Sequence, residues 1–152
     1  MNAMVSKMLN AYGQSQTYSG VETASPHMLI QMLYEGALVA ISNAKINLIN
    51  GNVAERGASI SKAISIIDEG LKVSIDIEAG GEIAQNLVAL YEYMSYRLIT
   101  ANLKADLQVL DEVEALLKEL KSAWDAIGAT VAVKPREIPE EPPRVASSYG
   151  KA

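Results

Sequence analysis

The sequence predicts an all-α fold: an antiparallel four-helix bundle with a short extra N-terminal helix and a disordered C-terminal tail. Three observations carry this expectation. Four long stretches repeat apolar residues at helical spacing. Tight stop and start signals separate them, at Asn50-Gly51-Asn52, at Ala79-Gly80-Gly81 and before Asp106. From about residue 129 the character changes: Pro135, Pro139, Pro142 and Pro143 alternate with charge, and Ser147-Ser148-Tyr149-Gly150 follows, a composition that cannot build a core. The organisation expected is residues 1–16 as a short amphipathic segment, 17–128 as the bundle and 129–152 as the tail.

In the first segment Met4, Val5, Met8, Leu9 and Tyr12 fall on one helical face before Gly13 ends the pattern. A helix this short is marginal alone, because nucleation is costly. It should be ordered only while docked, as a detachable lid whose methionines make an adaptable surface. Ser19-Gly20 marks the loop that follows.

The first long helix opens at Ser25-Pro26. Serine is a good N-cap, and proline at the first helical position loses no hydrogen bond. The pattern then runs to Asn50-Gly51, a length of about 36 Å at about 1.5 Å per residue. It carries three apolar stripes: Leu29, Leu33, Ala37, Ala40, Ala44 and Leu48; Met28, Met32, Val39, Ile46 and Ile49; and Ile30, Tyr34, Leu38 and Ile41. A surface helix needs one such stripe. Either this helix is central to the fold, or one face waits for a partner.

Asn52 and Glu55 resemble a capping box at the start of the second long helix. Its inward stripe is Ile60, Ala63, Ile64, Ile67, Leu71 and Ile75; Gly57 and Gly70 read as tolerated sites that weaken it, and Ala79-Gly80-Gly81 as its end. The third runs from about Glu82 to Asn102 on a stripe of Ile83, Leu87, Leu90, Met94, Leu98 and Ala101, with Tyr91, Tyr93 and Tyr96 clustered along it. The fourth starts at Asp106, a plausible N-cap, and runs to Ile127. Val109 or Leu110, Val113, Leu116, Leu117, Leu120, Trp124 and Ile127 face inward, while Asp111, Glu112, Glu114, Lys118, Glu119 and Lys121 read as a solvated outer face with Glu114–Lys118 as a local pair.

Composition narrows function. The 152 residues include no cysteine and no phenylalanine, so disulfides, thiolate metal sites and cysteine nucleophiles are excluded and the core is built from Leu, Ile, Val, Ala and Met. A net charge of −5 without a basic cluster gives nucleic-acid binding no support. No apolar run approaches the roughly 18 residues that span a bilayer, and no secretory signal opens the chain, so a cytoplasmic protein without membrane insertion is expected. His27 is the single histidine, sits in a first helical turn and lacks the mid-helix setting of a phosphotransfer histidine. One histidine also excludes a di-iron carboxylate bundle. Asp76, Glu78 and Glu82 flank the Gly-Gly turn as solvated carboxylates rather than a cation site. No phosphate-binding glycine motif is present. The expectation is a binding protein, not an enzyme, with no metal and no cofactor. The residues alone leave open a self-associating regulatory or structural bundle that uses the same apolar face.

A resemblance sharpens this reading. Thr23-Ala24-Ser25-Pro26 with Leu29 and Met32-Leu33-Tyr34-Glu35-Gly36-Ala37, Lys62-Ala63 with Ile66-Ile67, and Asp76 with Gly80-Gly81-Glu82-Ile83-Ala84 are followed in order by Asn86-Leu87, Leu90-Tyr91-Glu92-Tyr93-Met94, Arg97-Leu98, Ala101-Asn102, Glu112-Val113 and Ala123-Trp124. Over about residues 10–127 this resembles the FliS family of flagellar secretion chaperones. The resemblance implies an all-α bundle that binds the disordered C-terminal segment of flagellin, which wraps it, prevents premature polymerisation in the cytoplasm and supports delivery to the flagellar type III export apparatus. It implies a monomer when free and a 1:1 complex, with an export-gate component as a further candidate partner. It also implies that the N-terminal segment, with Tyr12, lies over part of the binding surface in the free state. On this basis the expected flagellin-binding residues are Tyr12, Leu29, Met32, Leu33 and Tyr34, with Ile30 and Tyr91 behind them; core packing competes for each, most strongly for Leu33 and Leu29.

Overall fold

A computed structural model of the chain describes residues 24–133, with side chains through residue 128. The N-terminal segment, including Met4, Val5, Met8, Leu9 and Tyr12, lies outside the described residues, as does the tail beyond Val133. Four long helices and no strand occur among the described residues: α1 (Pro26–Ile49), α2 (Val53–Ile66), α3 (Ile77–Lys104) and α4 (Leu107–Val133). The chain divides into two units, Met1–Glu119 and Leu120–Ala152. The packing described next belongs to the first.

The caps explain the helix starts. The Ser25 hydroxyl accepts from the Met28 N–H at 3.2 Å, with Pro26 behind it. The Asp76 carboxylate accepts from Ala79 N–H and that of Asp106 from Gln108 N–H, at 3.1 and 3.0 Å. Each satisfies a backbone donor that helical geometry leaves free. Asn52 makes no such side-chain bond, so the expected capping box at α2 does not form. Gly51, at φ +75°, turns the chain between α1 and α2.

One polar link joins α1 to α2, and three join α2 and the turns that follow it to α3 in antiparallel register. Asn47 on α1 donates to Ser59 on α2. Arg56 on α2 reaches the C-terminal turn of α3, donating to the Asn102 side chain at 3.0 Å and to its carbonyl at 3.1 Å. That carbonyl is one a helix end leaves without an internal partner, and a cation there complements the helix dipole. Further along, Ser95 donates to Asp68 at 2.7 Å and Lys72 lies 3.6 Å from Glu92. As the chain ascends through residues 56, 68 and 72, α3 descends through 102, 95 and 92.

The end of α2 departs from the expectation. The helix does not run to Ala79-Gly80-Gly81. It widens into a π turn (Ile67–Leu71), tightens into a 3₁₀ turn (Lys72–Ser74) and becomes extended at Ile75. A Cβ on Gly70 would lie 2.9 Å from Leu33 Cδ2, so Gly70 marks a close approach of the π turn to α1 and is not merely a tolerated glycine. Ile60, Ala63, Ile67 and Leu71 of the inward stripe are buried, joined by Ile66, whereas Ile64 and Ile75 are half-buried. The Gly-Gly pair lies inside α3, where Gly81 breaks the helix at φ +57°. That break turns Ile83 out of the stripe predicted for it, and it is 79% exposed.

On α4, Val109, Leu110, Val113 and Leu117 are buried, as the periodicity predicts. Its acidic face is not merely solvated. Lys45 on α1 lies 2.7 Å from Asp111 and 2.9 Å from Glu114, so Glu114 pairs across helices rather than with Lys118. Glu112 accepts from the Arg97 guanidinium at 2.9 Å and from the Tyr93 hydroxyl at 2.6 Å, both on α3. Those two donors hold the Glu112 carboxyl below its ordinary pKa, while Asp111 and Glu114 raise that of the Lys45 ammonium. In the second unit α4 continues past Ile127 to Val133; Lys121 pairs with Asp125 at 2.7 Å and Ile127 is exposed.

Ala105 closes α3 in the left-handed conformation, at φ 50° and ψ 51°. A Cβ makes that region unfavourable by roughly 1–2 kcal/mol, partly offset by the greater unfolded-state freedom of glycine. Ala105→Gly is expected to raise stability by about 0.5–1 kcal/mol, read as a higher urea midpoint with an unchanged m-value.

Candidate functional site

The packing sorts the three apolar stripes of α1. From the first, Leu33, Ala37, Ala40 and Ala44 are buried; from the third, Tyr34 and Ile41. The second faces outward. Met28 is 50% exposed, Val39 46%, Ile46 54% and Ile49 67%, with Met32 half-buried among them. The helix thus does both things its composition allows: it packs into the bundle over two stripes and presents the third to solvent. A surface helix ordinarily places charge there. Here the outward face holds Glu35, Ser42 and Asn43 between the apolar positions.

What fixes this orientation is a contact across the bundle. The hydroxyls of Tyr34 on α1 and Tyr91 on α3 meet at 2.6 Å, with both residues almost fully buried. Burial pushes both hydroxyls up from their usual pKa; their shared bond works against this for Tyr34 and adds to it for Tyr91. Both remain neutral through the physiological range, and each satisfies the other's polar atom.

The residues expected to bind a partner therefore separate. Leu33, Tyr34 and Tyr91 sit in the core. Leu29, Ile30 and Met32 are half-buried near the start of α1, where a partner can reach them. Tyr12 falls outside the described residues. Val39, Ile46 and Ile49, though on a recognised stripe, were not among the expected contacts; their signal was the apolar character of the face opposite the core. A second exposed apolar face lies on α3, where Tyr96, Ile99 and Leu103 recur at helical spacing and are 65%, 49% and 80% exposed. Tyr93 and Tyr96 therefore do not cluster with Tyr91; they lie on the outside of the same helix. Among the described residues no group of three or more His, Asp or Glu side chains is placed to hold a metal ion, and no helix is long and apolar enough to cross a membrane. Asp76, one of the turn carboxylates, is occupied as a helix cap.

The family model for the flagellar protein FliS matches residues 8–131. The chain belongs to the FliS family. It is 50% identical to the flagellar secretion chaperone FliS of Salmonella typhimurium over 119 residues, 78% of this chain and 88% of that protein. It is 46% identical to the flagellar secretion chaperone FliSB of Pseudomonas aeruginosa, over 80% of this chain and 95% of the relative. The likeness extends to the Bacillus subtilis FliS chaperone at 34% identity, over 76% and 84% of the two chains. The FliS match takes in the whole of α1, α2 and α3, and so every residue of both exposed apolar faces.

The tyrosine pair yields a test of the scaffold. Tyr34→Phe alone removes the buried bond to the Tyr91 hydroxyl and is expected to cost about 1–3 kcal/mol, while Tyr34→Phe with Tyr91→Phe should cost less than the single changes predict. Because both folded-state pKa values are raised, the folded protein keeps protons that the unfolded chain releases above pH ~10. Stability is then complete below pH ~10 and falls as pH rises, by up to about 1.4 kcal/mol per pH unit for each tyrosine. Urea unfolding between pH 8 and 11, on the native chain and the double variant, measures both effects.

Proposed function

We propose that this chain is a cytoplasmic export chaperone that binds the disordered C-terminal segment of flagellin, with the outward face of α1 as a principal contact. The observation that supports this is the exposed row Met28, Val39, Ile46 and Ile49, with half-buried Met32, on a helix whose other two stripes supply all its buried apolar side chains. Leu29 and Ile30 extend the contact at its N-terminal end. Flagellin's segment folds as it binds and meets its ordering cost at that moment. Its apolar side chains, once covered, are withheld from polymerisation, and the complex is the form delivered to the type III export apparatus.

The α3 face enters the same reading. Tyr34 and Tyr91 join α1 to α3 through the core, and Tyr96, Ile99 and Leu103 make a second exposed apolar row on α3. A segment that wraps the bundle meets both. Before flagellin arrives, residues 4–12 are the proposed cover for part of this surface, since a permanently open apolar face favours aggregation. An export-gate component is a second candidate partner of the loaded complex.

Calorimetric titration with the C-terminal segment of the cognate flagellin, beside a flagellin truncated there, tests the reading. One-to-one binding that vanishes on truncation is expected; a folded chain giving no heat would overturn it. Burying a half-exposed isoleucine is worth about 1 kcal/mol and burying a new charge costs more. Val39→Asp and Ile46→Asp are therefore expected to weaken binding at least tenfold while leaving the thermal midpoint within a few degrees. Deleting residues 1–12 should tighten it.

A further inference from the structure

The outward row of α1 changes chemistry along its length. Towards the C-terminus it is aliphatic, with Val39, Ile46 and Ile49; at the start it carries two thioethers, Met28 and Met32. Four residues apart, these two are neighbours on one helix face. The Met28 N–H is held by the Ser25 cap, so the backbone beneath the side chain is fixed, while the side chain itself is half open to solvent. Met94, on the core stripe of α3, is sealed at 0% exposure.

The chain has no cysteine, so no thiol within it takes up an oxidant first. Reaction at sulfur then follows access: Met28 before half-buried Met32, and Met94 last. The chemistry is a two-electron oxygen transfer. A sulfur lone pair attacks one oxygen of hydrogen peroxide, the O–O bond breaks, and the departing hydroxide takes the proton from the new S–OH group. Sulfur is oxidised to the sulfoxide, peroxide is reduced, and water is the other product. A sulfoxide is polar and chiral where the thioether was apolar. On an exposed side chain water solvates it, and the free fold is little affected. Under a partner's apolar surface its oxygen loses that water and, unless a donor replaces it, opposes binding.

Resting on the flagellin reading above, we propose that Met28 is a reversible oxidation site whose sulfoxide disfavours flagellin at the start of α1. The oxidant is a peroxide. The reverse step belongs to the methionine sulfoxide reductases, in which the sulfoxide oxygen leaves as water while two thiols become a disulfide. Under oxidising conditions the chain stops taking up its export substrate, and it recovers without new synthesis. Val39, Ile46 and Ile49 offer no such chemistry, so the sensitivity is confined to one end of the row.

The test treats the full chain with hydrogen peroxide at a dose that converts Met28, removes the oxidant, and titrates untreated C-terminal flagellin segment by calorimetry. Peptide mass spectrometry reads each sulfur. Met28 is expected to gain oxygen ahead of Met32, with Met94 unmodified. Binding should weaken roughly tenfold or more, with the thermal midpoint unmoved, and return after treatment with the two epimer-specific reductases and a dithiol. Leucine keeps the apolar bulk without the sulfur. For Met28→Leu the readout is therefore the ratio of its own affinities before and after peroxide, expected to stay near unity. Met4→Leu with Met8→Leu removes two thioethers of the N-terminal segment and should leave the loss in place. Flagellin segment present during the treatment should shield Met28. Undiminished binding by the Met28 sulfoxide form overturns the inference and leaves the flagellin reading standing. A loss that persists in Met28→Leu, or one that comes with a lowered midpoint, has the same consequence. No binding by the untreated chain overturns both.

Discussion

The structure depends on how α1 is rotated about its own axis, and the Tyr34–Tyr91 hydroxyl bond sets that rotation. α1 is apolar on three sides, so hydrophobic burial alone allows it to enter the bundle with any two of them. A hydroxyl pair discriminates where apolar contact does not. Turning α1 by one stripe would carry the Tyr34 hydroxyl away from Tyr91 and leave two buried polar atoms without each other, a penalty of order 1–3 kcal/mol for each. Lys45 acts in the same sense from the flank, reaching Asp111 and Glu114 on α4 at 2.7 and 2.9 Å. With those contacts made, the Met28-to-Ile49 row has nowhere to face but outward. The proposed binding surface is thus a consequence of the core.

The local chemistry of the chain was legible from sequence because it depends on neighbours within a few residues. Ser25-Pro26 starts α1, Asp106 caps α4, and the inward rows of α1 and α4 follow 3.6-residue periodicity through Leu33, Ala40, Val113 and Leu117. What was not legible depends on partners far along the chain. Glu114 stands four residues before Lys118, and the local rule pairs them. In the fold, Lys45 lies closer, from a helix 69 positions away. Gly70 looked like a weak point in a helix because the Leu33 methyl beside it comes from another helix. The π turn and the 3₁₀ turn after it end α2 short of Ala79-Gly80-Gly81, and no local signal in the sequence marks them.

The candidate site was half legible for a related reason. Three stripes on α1 announced that one face might be left over, but not which. Tyrosines and leucines of the Ser-Pro-to-Gly block drew attention as contacts, yet Leu33, Tyr34 and Tyr91 are the residues that position the surface rather than form it. Val39 and Ile46, ordinary aliphatic residues with no chemical signature, are the ones left outside. A binding face made by subtraction from the core becomes visible only when the core is known.

An outward row of Met, Val and Ile is unfavourable for a free protein, which gains nothing from it and risks association through it. Its cost is tolerable if the exposed area is a narrow helical strip rather than a broad patch, and if polar groups interrupt it. Both hold here: Glu35 and Ser42 divide the row into three short apolar parts, Met28 with Met32, Val39 alone, and Ile46 with Ile49. The same interruptions that keep the free chain manageable make the strip selective, since whatever covers it has to alternate apolar and polar contacts along its length.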